Sequence, residues 1–193
     1  VSDDCYLYSG SVDKTVRVWS PTCKHITTLV GHTDVVVSLN LSNDGRLLFS
    51  GSYDKTIRVW RTANIIADQY QVEHKSVAIL SGHTDRVYAL VSSSDGRLFS
   101  GSVDKTIRVW STIDYSCLAV LVGHESAVIS LALSDDGRLY SGSVDKTIRV
   151  LAHKHGYSLQ QILPGHQSGV WSLAVSNDGQ LYSGSYDKTI RVW

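Results

Sequence analysis

The chain has 193 residues, of which 42% are hydrophobic and 19% charged, and its 18 basic residues equal its 18 acidic residues in number. This is the composition of a globular protein, and it excludes the disordered and fibrous classes. Because the charges balance, the chain has no overall positive field, and we expect no nucleic-acid partner. No apolar run approaches the roughly 20 residues of a membrane-spanning helix, so we expect no membrane partner either.

Three cysteines lie far apart and form no Cys-x-x-Cys or Cys/His grouping; they are Cys5, Cys23 and Cys117. We interpret them as free thiols in a reducing compartment. No basic segment followed by an apolar run opens the chain, and the expected location is therefore the cytoplasm or the nucleus. The glycines belong to turns rather than to a phosphate-binding loop, so no cofactor is expected.

One phrase recurs five times with almost no change. In its commonest form it reads SGSVDKTIRVW, and its copies span 9–19, 50–60, 100–110, 141–151 and 183–193. A Gly-His dipeptide precedes each of the last four copies at a nearly constant distance. Two phrases in fixed phase define one repeated unit of about 41 residues, with one longer interval of 50.

Each unit predicts four β-strands. An apolar run such as 35–41 follows the Gly-His and leads to an Asp-Gly pair. Asp-Gly is a strong hairpin signal because glycine adopts positive φ at little cost. The recurring phrase supplies the second and third strands around its aspartate turn, and a run such as 25–30 or 76–80 supplies the fourth. We therefore predict an all-β chain of four-stranded antiparallel meanders that stack on one another.

The period, the Gly-His, the Asp-Gly and the SGSxDKTxRVW phrase together resemble the WD-repeat β-propeller family over essentially the whole chain. The dipeptide that names the family is incomplete, because Ser20, Arg61 and Ser111 follow the first three tryptophans and Leu151 replaces the fourth. The resemblance implies about five blades of a ring that usually has seven. The start at Val1, the lack of methionine and the mismatched ends predict a fragment that self-associates through open blade edges.

We divide 1–193, as a single propeller segment, into five blades. The first, at 1–31, is predicted to lack its inner strand, and the last, at 165–193, to lack its outer strand. The complete blades between them are predicted at 32–81, 82–122 and 123–164. The 32–81 blade carries an insertion at 61–75 on the face opposite the Gly-His loops, where it is either a second contact surface or a tolerated loop.

The resemblance also implies a buried hydrogen-bond chain in each blade, from the Gly-His histidine through a serine and an aspartate to the tryptophan indole. The complete sets are His32, Ser50, Asp54 and Trp60; His83, Ser100, Asp104 and Trp110; and His166, Ser183, Asp187 and Trp193. The fourth repeat has His124, Ser141 and Asp145 with Leu151, and we expect it to lack the indole donor. The first repeat has Ser9, Asp13 and Trp19 without a histidine.

Histidine, serine and aspartate are also the residue types of a hydrolase triad. We favour the structural role, because the set is repeated and its hydroxyl is expected beneath a tryptophan, whereas a nucleophile needs one accessible site. No catalytic residue and no enzymatic activity are therefore expected. His153 and His155 are close in sequence, but no cysteine or carboxylate supports them as metal ligands, and we interpret them as an exposed loop.

In the family, the Gly-His loops and the Ser-x-Asp turns open on one face, which often receives partners. Several positions on this face vary between the repeats and carry residue types that are enriched among binding hot spots; they are Tyr53, Arg86, Tyr88, Trp171 and Tyr186. The alternative is that these side chains pack between blades or line the central channel of the propeller. Five repeated lysines on the same face favour an acidic or phosphorylated peptide, unless they are solvated turn residues; they are Lys14, Lys55, Lys105, Lys146 and Lys188.

The leading hypothesis for function is a non-catalytic scaffold that presents a propeller face to peptides or domains of partner proteins. The alternative is a substrate-targeting propeller of a larger enzyme, such as a ubiquitin ligase or a protein kinase. Similar propellers serve as the substrate-binding ends of such enzymes.

Overall fold

In a computed structural model, described for residues 6–62, 76–152 and 156–193, the chain is all-β. In that part of the chain 18 strands form five antiparallel sheets of three or four strands. Strands that neighbour one another in a sheet also follow one another in the chain, so each sheet is a meander. The predicted architecture of about five propeller blades is confirmed.

We number the sheets as blades one to five. Blade one contains β1 (Leu7–Gly10), β2 (Val16–Trp19) and β3 (His25–Leu29). Blade two contains β4 (Val36–Leu41), β5 (Leu47–Ser52), β6 (Ile57–Arg61) and β7 (Ala78–Leu80). Blade three contains β8 (Val87–Ser92), β9 (Arg97–Ser102), β10 (Ile107–Ser111) and β11 (Cys117–Leu121). Blade four contains β12 (Val128–Leu133), β13 (Arg138–Ser143), β14 (Ile148–Ala152) and β15 (Ser158–Leu163). Blade five contains β16 (Val170–Val175), β17 (Leu181–Ser185) and β18 (Ile190–Val192).

The predicted boundaries between blades stay predictions, and most of the predicted insertion at 61–75 lies outside the described residues. The same holds for His153 and His155. In the described ranges, no helix is long and apolar enough to cross a membrane.

The Asp-Gly hairpins rely on the left-handed conformation of glycine. In blade two Gly45 has a φ of 67°, its N–H donates to Ser42 O at 2.8 Å, and Ser42 N–H donates to Leu47 O at 2.8 Å. Asp44 completes the turn by accepting from the Ser42 hydroxyl at 2.6 Å and from Arg46 N–H at 3.0 Å. Because glycine adopts this backbone without strain, the turn returns the inner strand antiparallel to itself.

The second hairpin of each blade turns at the Ser-x-Asp-Lys segment, where the lysine also has positive φ. In blade two Lys55 N–H donates to Ser52 O at 3.2 Å, and Asp54 Oδ1 accepts from Thr56 N–H at 3.0 Å and from its hydroxyl at 2.6 Å. The φ angle lies between 68° and 74° at Lys14, Lys55, Lys105, Lys146 and Lys188. This conformation costs a residue other than glycine on the order of 1 kcal/mol, and the sequence pattern did not predict it.

Apolar residues fill the spaces between adjacent blades. Ile57 and Val59 of blade two, for example, pack with Val87 and Trp110 of blade three, and all four are buried. The inner strands of successive blades also contact one another, from β4 through β8 and β12 to β16. Burial of one large apolar side chain contributes about 1.5–3 kcal/mol. Since the blades have apolar residues on both faces, each depends on its neighbours for stability.

Candidate interaction face and buried polar chains

A hydrogen-bonded chain of four side chains crosses blade two. Trp60 Nε1 lies 2.9 Å from Ser50 Oγ, which lies 2.8 Å from His32 Nε2, and His32 Nδ1 lies 2.7 Å from Asp54 Oδ2. Because the indole nitrogen can only donate, the serine hydroxyl accepts from it and donates to the imidazole. The histidine then carries its proton on Nδ1 and donates it to the carboxylate, so each link in the chain has both a donor and an acceptor.

The same chain recurs in blades three and five. In blade three the indole–serine, serine–histidine and histidine–aspartate distances are 2.8, 2.7 and 2.7 Å. In blade five they are 2.9, 2.8 and 2.8 Å. The residues joined are Trp110, Ser100, His83 and Asp104 in blade three, and Trp193, Ser183, His166 and Asp187 in blade five.

Blade four has the histidine, the serine and the aspartate of this hydrogen-bond chain but not the indole. His124 Nδ1 lies 2.7 Å from Asp145 Oδ2, and its Nε2 lies 2.8 Å from Ser141 Oγ. Leu151 occupies the tryptophan position and has no N–H to donate. The histidine and the aspartate therefore reach the same geometry with or without an indole above the serine.

Blade one has the tryptophan, the serine and the aspartate of this hydrogen-bond chain but not the histidine. Trp19 Nε1 donates to Ser9 Oγ at 2.9 Å. Asp13 keeps its hydrogen bond from the Thr15 hydroxyl, at 2.6 Å, and forms an ion pair with Arg17 at 3.1 Å. An exposed arginine thus provides the cationic contact at the turn where the other blades have a buried imidazole.

The electrostatic environment favours a neutral imidazole at His83 and an ionised carboxylate at the aspartate of each chain. Burial lowers the pKa of His83, because it penalises the imidazolium more than the Asp104 carboxylate stabilises it. For Asp54, burial acts to raise the pKa, but hydrogen bonds from His32 and Thr56 outweigh it and hold the pKa well below its usual range. The hydrogen bonds at the aspartate end of the chain are therefore charge-assisted, and such bonds are stronger than bonds between neutral groups.

The serine hydroxyls of these chains are out of reach of a substrate. They belong to Ser50, Ser100, Ser141 and Ser183, all of which are fully buried. A nucleophile has to meet its substrate, whereas a buried polar group that loses its partner costs about 1–3 kcal/mol. The arrangement therefore holds the Gly-His loop against the strands. Within the described residues, no group of three or more His, Cys, Asp or Glu side chains is placed to hold a metal ion.

The Gly-His loops and the Ser-x-Asp-Lys turns lie together, and we call their shared surface the interaction face. In blade two Thr33 N–H donates to Asp54 Oδ2 at 3.0 Å, and Tyr53 N–H donates to Val35 O at 2.9 Å. The Ser52 hydroxyl also donates to Asp34 O at 3.0 Å. The loop that leads to the inner strand is thereby fixed to the turn between the second and third strands.

A β-bulge lies near the start of the inner strand in blades two to five, shortly after the Gly-His loop. In blades two to five the pairing of the first two strands shifts near the start of the inner strand. The residues that this shift leaves unpaired are Val37, Tyr88, Ile129 and Trp171. Bulges commonly re-aim a side chain. Tyr88 and Trp171 thus occupy equivalent positions of the repeat, as the sequence predicted, and the structure adds that both positions are bulges.

Three of the predicted binding residues form one cluster across blades two and three. The hydroxyls of Tyr53 and Tyr88 are 2.7 Å apart, and their ring centroids are 5.4 Å apart. The Arg86 guanidinium carbon lies 4.5 Å from the centroid of the Tyr53 ring, a cation–π distance. The hydrogen bond with Tyr88 raises the pKa of Tyr53, with partial burial adding to the shift. Arg86 is exposed, while the two tyrosines are half-buried.

The other two predicted residues form a separate pair in blade five. The ring centroids of Trp171 and Tyr186 are 6.5 Å apart, and both side chains are largely exposed. The structure thus brings the five residues together as a cluster of three and a pair. The five turn lysines are exposed, and among the described residues no ion pair involves any of them.

The chain matches the family described as WD domain, G-beta repeat, and the matched segments are 1–20, 23–61, 74–111, 115–150 and 157–193. The fold and the repeated polar chains define a β-propeller segment of this type. The chain belongs to the WD40 repeat family, whose propellers generally serve as protein-interaction scaffolds and are generally non-catalytic.

A solved structure described as the crystal structure of the WD40 β-propeller domain of Doa1 is similar to this chain, with a TM-score of 0.84 and 29% sequence identity. The similarity covers 98% of this chain and 60% of that one. The present chain therefore spans about three-fifths of the protein to which it is similar.

Proposed function

We propose that this chain is a non-catalytic scaffold that binds peptides or domains of partner proteins on its interaction face, in the cytoplasm or the nucleus. The observation that carries the proposal is the cluster of Tyr53, Arg86 and Tyr88. It combines two aromatic rings and an exposed guanidinium at a junction between blades. Its hydrogen bond and cation–π contact pre-order the side chains, so less side-chain entropy is lost when a partner binds.

The cluster and the turn lysines favour a partner segment that is acidic or phosphorylated. Arg86 donates several N–H groups that match a carboxylate or a phosphate in geometry. Lys55 and Lys105, exposed in the turns of the same two blades, add positive charge near the cluster. The same loops also carry acidic residues, whose negative charge offsets the positive charge of the lysines. We therefore assign the specific contact to Arg86.

Blade five supports a second mode of association, with another copy of the chain. Ile190 and Val192 are 76% and 58% exposed, whereas the equivalent Ile148 and Val150 of blade four are 0% and 6% exposed. The surface that blade five covers on blade four is thus open on blade five itself. We expect the isolated chain to associate through it, and a monomeric mass by light scattering across the micromolar range would contradict this.

The direct test is affinity purification from cell lysate with two pairs of substitutions. Tyr53→Phe with Arg86→Ala removes the shared hydroxyl and the guanidinium but keeps the packed ring, and Trp171→Ala with Tyr186→Ala removes the blade-five pair. Loss of the same partners with the first variant supports the proposal.

A matched control replaces Ile113 and Ile79, which are exposed apolar residues outside the Gly-His loops and the Ser-x-Asp-Lys turns. All variants must keep the wild-type melting temperature. Partners that persist with both site variants would place binding elsewhere and contradict the proposal. A substrate-targeting propeller of a larger enzyme would use the same face. This alternative differs from a scaffold in one measurable respect, because the full-length protein would then modify the captured partners.

A further inference from the structure

A cavity of about 240 Å³ lies between blades three and four, where Leu151 replaces the tryptophan of the other blades. One wall belongs to blade three and the other to blade four. The lining residues are Ile107, Val120, Leu121, Val122, His124, Arg149, Leu151, Tyr157 and Leu159.

Blade three shows what fills this space when tryptophan is present. The Trp110 ring lies 6.3 Å from the His83 ring in an edge-on arrangement, and the Arg108 guanidinium carbon lies 5.9 Å from the Trp110 ring. Trp110 also reaches the backbone of Gly82, where its outermost ring carbon is 3.4 Å from the place of an added Cβ. The indole is therefore enclosed by an imidazole, a guanidinium and a glycine.

Blade four retains these surroundings without the ring. His124 and Arg149 line the cavity, and the Arg149 guanidinium lies against Gly123 as that of Arg108 lies against Gly82. An apolar cavity of roughly 150 Å³ is large enough to hold benzene. The volume beside Leu151 therefore suits a larger planar ring such as an indole.

The mouth of the cavity is bordered by exposed apolar side chains. Val120 and Val122, on the outer strand of blade three and just after it, are 46% and 80% exposed, and Leu159 of blade four is 45% exposed. Exposed apolar residues grouped around a pocket mark an interaction site. A free small molecule would leave these side chains in water, whereas a peptide segment that carries a ring into the cavity would cover them.

We propose that this cavity binds a tryptophan side chain presented by a partner peptide. The indole enters between the blades and stacks near Arg149 as Trp110 does near Arg108, while flanking apolar residues of the peptide cover Val122 and Leu159. Tryptophan in a pocket is a common anchor of protein interfaces. The site lies on the edge between two blades, and it is separate from the cluster of Tyr53, Arg86 and Tyr88.

The first experiment uses indole itself as the probe, added to the isotope-labelled chain and followed by amide NMR shifts. We expect saturable shifts for residues 120–124, 149–151 and 157–159 in the wild type. Leu151→Trp places the chain's own indole in the cavity, as in blades two, three and five, and should abolish these shifts while the protein stays folded. Absence of saturable shifts in the wild type, or equal shifts in Leu151→Trp, would overturn the proposal.

The second experiment identifies the natural form of the ligand. Peptides are selected from a random library on the wild-type chain, with depletion on Leu151→Trp. We expect the selected peptides to share one tryptophan and to lose binding when it becomes alanine. Selected peptides without tryptophan would overturn the proposal. The Tyr53→Phe, Arg86→Ala variant should bind these peptides like the wild type, so failure here and failure of the proposed interaction face are distinguishable.

Discussion

Blades three and four have nearly the same sequence in their recurring phrases and differ at one buried position. In blade three, Trp110 donates its indole N–H to Ser100 and packs against apolar residues of the preceding blade. Leu151 in blade four does neither, and a cavity lies beside it. Nevertheless the histidine–aspartate distance is 2.7 Å in both blades.

The comparison separates two roles within the polar chain. The histidine and the aspartate fix the Gly-His loop to the turn, and their geometry does not require the indole. The tryptophan fills the space between blades and gives the serine a second partner. Loss of the carboxylate should therefore lower the stability of the chain by a similar amount in either blade. Exchange of tryptophan and leucine should lower stability in blade three and raise it in blade four.

The largest effect that we expect is acid destabilisation, because the carboxylates of blades two to five respond together. The pKa values of Asp54, Asp104, Asp145 and Asp187 are all lowered. The unfolded chain therefore takes up protons at a higher pH than the folded chain does, and the stability from these groups is lost as the pH falls below about 4.

Burial of His83 acts in the same direction at a higher pH. Its folded pKa is lowered, so the unfolded state binds more protons below about pH 6.5 and stability falls from there. We expect the melting temperature to decrease in two stages between pH 7 and pH 3. A flat profile across that range would contradict ionised, hydrogen-bonded carboxylates in the folded chain.

Asp104→Ala should destabilise the chain by about 3–4 kcal/mol, because it leaves the buried His83 N–H and three donors in the turn and loop without their acceptor. Asp145→Ala should cost a similar amount, since blade four holds its carboxylate in the same way. Urea unfolding measures both. Asp114→Ala is the control, because Asp114 is an exposed turn residue of blade three, and its loss should cost under about 1 kcal/mol. A much smaller cost in blade four would mean that the indole does support the carboxylate.

Trp110→Leu should turn blade three into a copy of blade four and cost about 2–3 kcal/mol, from the lost indole burial and the lost bond to Ser100. The cavity that forms should bind indole, so millimolar indole should raise the melting temperature of this variant more than that of the wild type. Equal responses of the two proteins would show that the space closes when the ring is removed.

Leu151→Trp is the reciprocal change, and we expect it to stabilise the chain by about 1–2 kcal/mol. The new indole fills existing space and can donate to Ser141, so the gain combines burial with one hydrogen bond. Leu151→Phe is the matched control, because it adds a ring without an N–H donor. A loss of stability in both variants would indicate that the cavity cannot admit a ring without strain.

The repeated phrases predicted the fold well because each carries its own local signals. Asp-Gly at 44–45 specifies a hairpin, and alternation at Ile57 and Val59 specifies a strand with a buried face. These signals act over a few residues, so one copy is informative and five copies in register are decisive for a stacked architecture.

The interaction face was harder to predict, because it depends on contacts between blades. Tyr53 and Tyr88 are 35 positions apart in two different blades, and Tyr88 lies at a bulge of its strand. No local pattern distinguishes that pair from Trp171 and Tyr186, which meet within a single blade. The cavity beside Leu151 likewise follows from the packing of two blades, even though the substitution itself is visible in the sequence.

The smallest effect that we expect concerns the left-handed lysines. Lys105→Gly removes the strain of a positive φ but increases the entropy of the unfolded chain, which leaves a net gain of about 0.5 kcal/mol. Lys146→Gly in blade four should give the same gain, since the two turns share φ angles of 71° and 74°. Chemical unfolding of both variants, with Lys24→Gly as the control outside these turns, measures the difference. Unequal gains would mean that the tryptophan or leucine at the end of the third strand influences the turn, and the separation of roles drawn from blades three and four would then fail.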